Sequence, residues 1–267
     1  MFNYIKFIIS KINIILRYKK NNFLNILHYI FYGKEISNFT YEIKNEKEII
    51  DIIKVITNEN ENKIKEILNE VSFDNLIFKN FFTKQFYEYY DKYKFGYKIF
   101  GRRLLWYGLI RILKPSDVIE SGIDKGLGSA LLSYAQHINS EEQHNKYNYI
   151  GIDLKIKSNI FFNELNNYYK NYNIYYQDSH EFIKKIQSQH FSKIIYISDA
   201  KHDYNFELNE FCMIKNLLKN NSVIISDTNS GALRDFSIKN EKYLITFHEK
   251  TINHWYSGAN CTVSYFY

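Results

Sequence analysis

The chain contains little proline, glycine or cysteine. Its 267 residues include one proline, 10 glycines and two cysteines. So few turn-forming residues exclude collagen-like, Pro-rich and linker-rich low-complexity sequences. The two cysteines, Cys212 and Cys261, cannot form a disulfide framework and lack the spacing of zinc ligands. We therefore expect a reducing compartment and predict a cytoplasmic protein.

A long apolar run is also missing, since no stretch approaches the ~18 apolar residues that cross a bilayer. The N-terminal stretch MFNYIKFIISKINIILRYKK has five basic residues, no acidic residue, and isoleucines near helical spacing. It lacks the uninterrupted apolar core of a signal peptide. We predict an amphipathic helix that packs on its own protein. Peripheral attachment to an anionic membrane face and docking to a partner are the alternatives.

The overall composition is that of a folded protein. Apolar residues make up 45% of the chain and charged residues 24%, which excludes disorder for most of it. The formal net charge is +6, but most of the 35 basic residues are lysines spread along the chain. A solvated, lysine-rich surface explains this charge better than nucleic-acid binding, so we predict no nucleic-acid partner. A homo-oligomer is left open.

The first hundred residues have the periodicity of helices. Apolar residues recur every 3.6 positions in two segments, which contain Ile49, Ile52, Ile53 and Ile56, and then Ile64, Ile67, Leu68 and Val71. The polar residues 58–60 between them predict a tight helix–helix connection. A third, Tyr-rich segment runs from about residue 82 to 100. We predict a helical N-terminal extension over residues 1–98.

From Pro115 onward, short β-rich runs alternate with longer amphipathic runs. The β-rich runs are DVIES, YIGID, NIYYQD, KIIYISD and SVIISD, with helices expected near residues 127–139, 159–170, 179–188 and 205–219. This alternation predicts βαβ units. The last two runs, YLITFHEK and CTVSYFY, leave little room for a helix and predict an antiparallel hairpin. We predict an α/β fold over residues 99–267, with a doubly wound, Rossmann-like, seven-stranded, mostly parallel sheet whose last strand is antiparallel.

Five consecutive predicted strands end at or near a carboxylate. These residues are Glu120, Asp153, Asp178, Asp199 and Asp227. The carboxyl ends of parallel strands share one edge of the sheet, where open α/β folds bind their ligands. One or two such residues are expected by chance, so five indicate a functional cleft.

The loop after the first predicted strand is rich in glycine. It has the spacing G-x-x-x-G-x-G between Gly122 and Gly128 and leads into a helix. Such a loop allows a ligand to approach the backbone, and the helix N-terminus favours an anionic group. The spacing differs from both the dinucleotide fingerprint and the P-loop.

Taken in order, these motifs resemble a known family. The series E-x-G-x-x-x-G-x-G-S, G-I-D, Q-D-S, S-D-x-x-H-x-Y and I-I-S-D is similar to that of class I S-adenosylmethionine (SAM)-dependent methyltransferases. The resemblance covers residues 100–267. It is closest to the small-molecule O-methyltransferases related to the macrocin-type and cephalosporin-hydroxylase-like enzymes.

The resemblance implies a SAM site built from the strand ends. Glu120, Gly122 and Gly126 would hold the amino-acid end of SAM together with Ser129, Asp153 the ribose hydroxyls, Asp178 and Ser179 the adenine, and Asp199 and His202 the region of the methyl group. The family's antiparallel seventh strand, inserted between the fifth and sixth, matches the predicted hairpin.

On the acceptor side, the resemblance implies contacts from Tyr204, Asp227 and His254. The acceptor would be a small hydroxylated molecule, with a sugar or glycan building block as the first choice. Asp199 and Asp227 have the chemistry to bind Mg²⁺. Lys201, however, stands where family members often carry an acid, which disfavours a metal. We therefore predict His202, whose ordinary pKa is near neutrality, as the base that removes the hydroxyl proton.

These residues also have structural interpretations. Glu120 could form a loop salt bridge, and Asp153 or Asp178 could be a helix N-cap. His202 could be a surface histidine hydrogen-bonded within its loop. The segment 253–258 could be core packing with a turn rather than a wall of the acceptor pocket.

The sequence disfavours two alternative functions. A nicotinamide-dependent oxidoreductase on a similar sheet is disfavoured by the glycine spacing and by the antiparallel ending. A non-catalytic binding module is disfavoured by the strand-end carboxylates, for which a module without a ligand has no need.

Overall fold

The computed structural model describes residues 12, 41–71, 74–93, 97–155, 161–163, 169–252, 256 and 258–266. The predicted N-terminal amphipathic helix and His254 therefore lie outside the described residues. Among the described helices, none is both long and apolar enough to span a membrane.

A seven-stranded sheet forms the centre of the protein. Its strands are β1 (Asp117–Ser121), β2 (Asn148–Asp153), β3 (Tyr172–Tyr176), β4 (Ile194–Ser198), β5 (Val223–Ser226), β6 (Tyr243–His248) and β7 (Asn260–Tyr265). Their order across the sheet is β3-β2-β1-β4-β5-β7-β6. The first five strands pair in parallel, whereas β7 pairs antiparallel with both β5 and β6. The predicted fold class, including the antiparallel last strand, is confirmed.

Four of the described helices lie within the predicted N-terminal extension. They are α1 (Glu46–Thr57), α2 (Glu61–Asn69), α3 (Leu76–Lys79) and α4 (Lys84–Tyr93). The polar break after α1 forms the predicted tight connection, because Asn58 adopts a left-handed conformation with φ 55° and the Asn60 side chain caps α2. The Tyr-rich segment contains α4 and, after it, a 3-10 helix over Tyr97–Phe100.

Five helices cover the two faces of the sheet. They are α5 (Arg103–Leu113), α6 (Leu127–Gln143), α7 (Ser179–Ile186), α8 (Tyr204–Ile214) and α9 (Ala232–Lys239). Successive strand residues point to opposite faces, so Ile195 joins the core under α5 and α6, while Ile194 joins the core under α7, α8 and α9. Strands buried on both faces explain the near-continuous isoleucine runs.

One predicted helix is wrong where the structure describes its residues. Phe161–Asn163, within the stretch expected to be helical near residues 159–170, is not helical. Phe162 instead forms an isolated antiparallel bridge with Phe82, and the Phe161 ring lies 5.2 Å from that of Phe86. Both phenylalanines are buried against the N-terminal helices. Neighbouring residues that are both buried suit an extended segment between two layers better than a surface helix.

The N-terminal helices share a core with the sheet. Helix α1 packs on α5 at a close approach, where a Cβ added to Gly108 would lie 2.4 Å from Cδ1 of Ile53. Ile53 is fully buried in the same cluster as Val118 and Ile195 of the sheet. The division at residues 98 and 99 stays a prediction.

Ile53→Ala should test whether the two regions unfold together. Removing this buried side chain leaves a cavity against α5 and should lower the free energy of unfolding by about 2–5 kcal/mol. Urea unfolding followed by circular dichroism and by tryptophan fluorescence should show one coincident transition that moves as a whole. Val55→Ala, at an exposed position of the same helix, is the control and should change stability by less than about 0.5 kcal/mol. Two separate transitions, with only one shifted, would instead show that the extension folds independently.

Candidate active site

A cleft of about 340 Å³ lies at the carboxyl ends of β1 to β4. Its lining includes Ser121, Gly122, Asp124, Asp153, Leu154, Lys155, Gln177, Asp178, Ser179, Asp199, Lys201 and Phe206. This is the edge of the sheet at which the sequence predicted a functional cleft. Five of the predicted cofactor residues line it: Gly122, Asp153, Asp178, Ser179 and Asp199.

The glycine loop brings the end of β1 against the end of β4. Gly122 has φ 91°, and an added Cβ would lie 2.5 Å from backbone atoms of Ala200. Only glycine permits both this conformation and this approach. Gly126, with φ 80°, is the residue from which the 17-residue helix α6 begins. The N-terminus of α6 therefore faces the loop with free backbone N–H groups and a positive partial charge.

Asp153 and Asp178 organise the loops on which they lie. The Asp153 carboxylate accepts hydrogen bonds from the backbone N–H groups of Ile123 at 2.9 Å and Asp124 at 3.2 Å, which joins the end of β2 to the glycine loop. Asp178 is the N-cap of α7 and accepts from the backbone N–H of Glu181 at 3.1 Å. Each carboxylate has further lone pairs for a ligand, so the capping role of Asp178 and a cofactor contact are compatible.

Glu120 lies beneath the glycine loop. It is buried, and its carboxylate accepts hydrogen bonds from Tyr149 and, at 2.8 Å, from Ser129. Burial raises the pKa of Glu120 to about 7, against the opposing effect of these two hydrogen bonds. A Cβ added to Gly128 would lie 2.5 Å from Oε1 of Glu120, so this side chain supports the loop from below. Ser129 faces Glu120 in the same buried layer.

Two further buried glutamates were missed by the sequence analysis. Glu207 and Glu210 lie on one face of α8, and each accepts hydrogen bonds from three hydroxyl groups. Glu210 receives them from Ser121, Ser179 and Ser198 at 2.5–2.7 Å, and Glu207 from Ser226, Thr228 and Ser230 at 2.6–3.1 Å. Strand alternation sends Ser198 towards α8 and the next residue, Asp199, into the cleft. The sequence did contain a signal for these glutamates: a serine precedes the aspartate at the ends of both β4 and β5, and these two serines donate to Glu210 and Glu207.

A buried arginine at the start of α5 holds the end of β5. Both Nε and Nη2 of Arg102 donate to the two carboxylate oxygens of Asp227, with Nη2 at 2.5 Å from Oδ2. Arg102 also donates through Nη1 to Glu249 at 3.3 Å and through its backbone N–H at 2.5 Å. The Tyr41 hydroxyl donates to Glu249 at 2.9 Å. This network connects the segment before α1, the start of α5 and the end of β6 to the candidate site.

Asp199, His202 and Asp227 converge beside this network. One ligand atom of each lies within 4.8 Å of the others, and Nε2 of His202 is 3.9 Å from Oδ1 of Asp199. The pKa of Asp199 is raised by burial and by the neighbouring Asp227 charge. Arg102 outweighs burial at Asp227 and lowers the pKa of that carboxyl. The negative charge of the pair is therefore favoured on Asp227, beside Arg102.

A divalent metal does not fit this cluster. Both oxygens of Asp227 are engaged by Arg102. In addition, a doubly charged ion about 4 Å from a guanidinium would be repelled by roughly 8 kcal/mol at an effective dielectric constant of about 20. His202, the histidine of this cluster, has a side chain that is 55% exposed and is not among the described residues that line the cleft.

Arg103, the neighbour of Arg102, is a second feature that the sequence analysis missed. Its Nε is buried, and the guanidinium has no hydrogen-bond or salt-bridge partner among the described residues. It lies 5.6 Å from the Trp106 ring centroid, and its Nε is 3.6 Å from the position of a Cβ added to Gly128. The guanidinium therefore lies beside the first turn of α6 without a hydrogen-bonded partner among the described residues, and its charge acts on the carboxyls of Glu120, Asp199 and Asp227. An anion bound on the glycine loop would accept hydrogen bonds both from this guanidinium and from the backbone N–H groups at the start of α6.

The remaining predicted acceptor residue, Tyr204, opens helix α8. Its hydroxyl donates to Asp235 of α9 at 2.8 Å, and the residue is 37% exposed. Lys201 lies between Asp199 and α8, with Nζ 5.7 Å from the centroid of the Phe206 ring. Lys201 therefore contributes a positive charge to the mouth of the cleft.

Comparison with known proteins gives structural neighbours only, since no family model and no curated protein matches the chain. The O-methyltransferase TomG from Streptomyces achromogenes, solved with SAM, is 12% identical over 61% of this chain and 78% of that chain, with a TM-score of 0.46. The O-methyltransferase from Bacillus cereus, solved with S-adenosylhomocysteine (SAH), is 10% identical over 82% of this chain and 97% of that chain, with a TM-score of 0.43. A methyltransferase from Geobacter sulfurreducens is 15% identical over 61% of this chain and 77% of that chain, also with a TM-score of 0.43. At such low identity, the functional assignment depends on the residues of this chain itself.

Glu120→Gln should remove part of the pH dependence of stability. Because the carboxyl has the higher pKa in the folded state, its contribution to stability is complete below about pH 4.5 and is lost as the pH rises to about 7. Relative to the variant, the wild-type free energy of unfolding should fall by up to about 3 kcal/mol over this range. Urea unfolding of both proteins from pH 4.5 to 8 measures the difference. Glu66→Gln, at an exposed carboxylate, is the control. A difference that does not change with pH would contradict the raised pKa.

Proposed function

We propose that this protein is a SAM-dependent O-methyltransferase. The observation that carries the proposal is the cleft at the carboxyl ends of β1 to β4, where the glycine loop, Asp153 and Asp178 come together. The strand order, with the seventh strand between the fifth and the sixth, is the one that the family resemblance predicts. The closer likeness to macrocin-type and cephalosporin-hydroxylase-like enzymes rests on the motifs alone.

SAM would extend along the cleft from β3 to the glycine loop. Asp178 and Ser179 would contact the adenine, and Asp153 would accept hydrogen bonds from the ribose hydroxyls. The amino-acid end would lie on the Gly122–Gly128 loop. There its carboxylate would meet the N-terminus of α6 and the unpaired guanidinium of Arg103. Glu120 would act indirectly, by supporting the loop.

The reaction would be an in-line displacement at the methyl carbon. A hydroxyl oxygen of the acceptor forms the new C–O bond while the C–S bond of the sulfonium breaks, and S-adenosylhomocysteine (SAH) leaves with the electron pair. His202, beside Asp199, would take the hydroxyl proton. Holding the two reactants in attack geometry would supply most of the rate enhancement. Asp227 and Tyr204 would contribute acceptor contacts, together with His254.

The acceptor would be a small hydroxylated molecule, and a sugar or glycan building block is our first choice. The cleft mouth offers the charged groups of Asp199 and Lys201, and the exposed His202 lies beside Asp199, which suits a hydroxylated compound. We also propose that the enzyme acts in the cytoplasm and that residues 1–98 form an extension to the catalytic region.

Arg103→Met should weaken SAH binding selectively. If Arg103 binds the carboxylate of the cofactor, its loss should cost about 1.5–3 kcal/mol of SAH affinity, the range for a hydrogen bond to a charged group. Binding of methylthioadenosine, which has no amino-acid end, should not change. Isothermal titration calorimetry with both ligands measures this, and Arg234→Met, at an exposed arginine, is the control.

Equal losses for the two ligands would contradict the placement of Arg103. A wild-type protein that binds NADH but not SAH in the same experiment would overturn the proposed function itself.

His202→Ala should lower turnover at least about a hundredfold and leave SAH affinity unchanged, because a general base acts only in the transition state. Turnover is measured as SAH release with an acceptor identified from a panel of sugars and other hydroxylated compounds. His190→Ala, at an exposed histidine before β4 on the opposite edge of the sheet, is the control. Wild-type turnover in His202→Ala would show that positioning alone drives the reaction.

A further inference from the structure

Three side chains at the candidate site have the types and spacing of metal ligands. Asp199, His202 and Asp227 offer two carboxylates and one imidazole whose ligand atoms lie within 4.8 Å of one another. Carboxylate and imidazole groups at such distances can close on one cation. Two carboxylates so close together need a positive charge nearby.

Arg102 already supplies a positive charge at this position. Its guanidinium engages both oxygens of Asp227 and also donates to Glu249, so one cation lies between two buried carboxylates. The side chains of Asp227 and Glu249 are 3% and 0% exposed. Neither carboxylate can be neutralised by solvent at such burial, so the protein must provide the cation.

The arginine is fixed in this position by its backbone as well as by its side chain. The backbone N–H of Arg102 donates to Oε1 of Glu249 at 2.5 Å. The preceding Gly101 has φ 56°, and a Cβ there would lie 2.2 Å from the same oxygen. The chain thus passes so close to Glu249 that a side chain at position 101 would displace the carboxylate from the backbone N–H of Arg102. Arg102 cannot swing away to admit a metal without breaking contacts at both of its ends.

We propose that Arg102 is a built-in cation in the place of a divalent metal, so that this site is metal-independent and becomes a metal site only when Arg102 is removed. The inference rests on the proposed function for the identity of the site. The binding of metal can be measured without SAM or an acceptor. Lys201, two residues after Asp199 in the chain, adds a further positive charge to the adjoining cleft.

The test compares Mn²⁺ binding by wild type and by variants that lack the guanidinium. Because Arg102 neutralises Glu249 as well as Asp227, the variant of choice is the double substitution Arg102→Gln with Glu249→Gln, which removes a carboxylate together with the cation. The single variant Arg102→Gln is the second choice. Mn²⁺ binding is followed by the loss of the free-ion electron paramagnetic resonance signal, and folding by circular dichroism.

We expect no stoichiometric Mn²⁺ binding to wild type, and one Mn²⁺ per chain, bound at least tenfold more tightly, to the folded variant. Mn²⁺ should also raise the melting temperature of the variant and not that of wild type. Adding Asp199→Asn to the variant should abolish this binding. Arg102→Lys, which keeps a positive charge, should resemble wild type.

One equivalent of Mn²⁺ bound by wild type and lost in Asp199→Asn would overturn the proposal, and this outcome needs no Arg102 variant to fold. A folded double variant with no more Mn²⁺ affinity than wild type would overturn it as well. SAH titration of the same wild-type protein distinguishes these failures from a failure of the proposed function, because SAH would still bind in the adjoining cleft.

Discussion

The structure depends on how buried carboxylates at one sheet edge are neutralised. Parallel strands bring Asp199 and Asp227 together, and the antiparallel hairpin brings Glu249 next to them. Buried charges of the same sign repel strongly at low dielectric. Arg102 reduces this repulsion by pairing with both Asp227 and Glu249. At Asp199, burial and the neighbouring Asp227 charge raise the pKa of the carboxyl.

The N-terminal region is part of this solution. Arg102 follows the N-terminal helices and directly precedes α5, and Tyr41, before α1, donates to Glu249. The core that contains α1 and α2 also contains strand residues of the sheet. The helices before the sheet thus hold in place the arginine that neutralises the site. The region before the sheet thus contacts the carboxylate network through Tyr41, in addition to its burial of apolar surface.

Beneath α8, hydroxyl groups satisfy buried carboxyl groups, as Arg102 does at Asp227. Glu207 and Glu210 are fully buried, and each receives hydrogen bonds from three serine or threonine hydroxyls. These hydroxyls come from the ends of β1, β4 and β5, from the loop after β5 and from the first residue of α7. The glutamates therefore fasten the strand ends to α8 and α7. Hydroxyl donors satisfy a buried carboxyl without adding a charge, and burial raises the pKa of Glu210 accordingly.

The sequence by itself determined the sheet, the hairpin and the edge at which ligands would bind. Those features follow from local periodicity and from the rule that parallel strands end on one side, so Asp153, Asp178 and Asp199 could be placed from their positions alone. The helix expected near residues 159–170 failed where it is described, because tertiary burial of Phe161 and Phe162 outweighed their periodicity.

Only the tertiary structure decided which charges meet. Arg102 and Asp227 are 125 residues apart, and Arg102 and Glu249 are separated by 147. No local pattern relates them, because periodicity reports which face a residue occupies and not which distant residue it meets. The unpaired Arg103 and the two glutamates of α8 were missed for the same reason. The chemistry of a buried charge is set by its partners, and those partners are chosen when the layers pack.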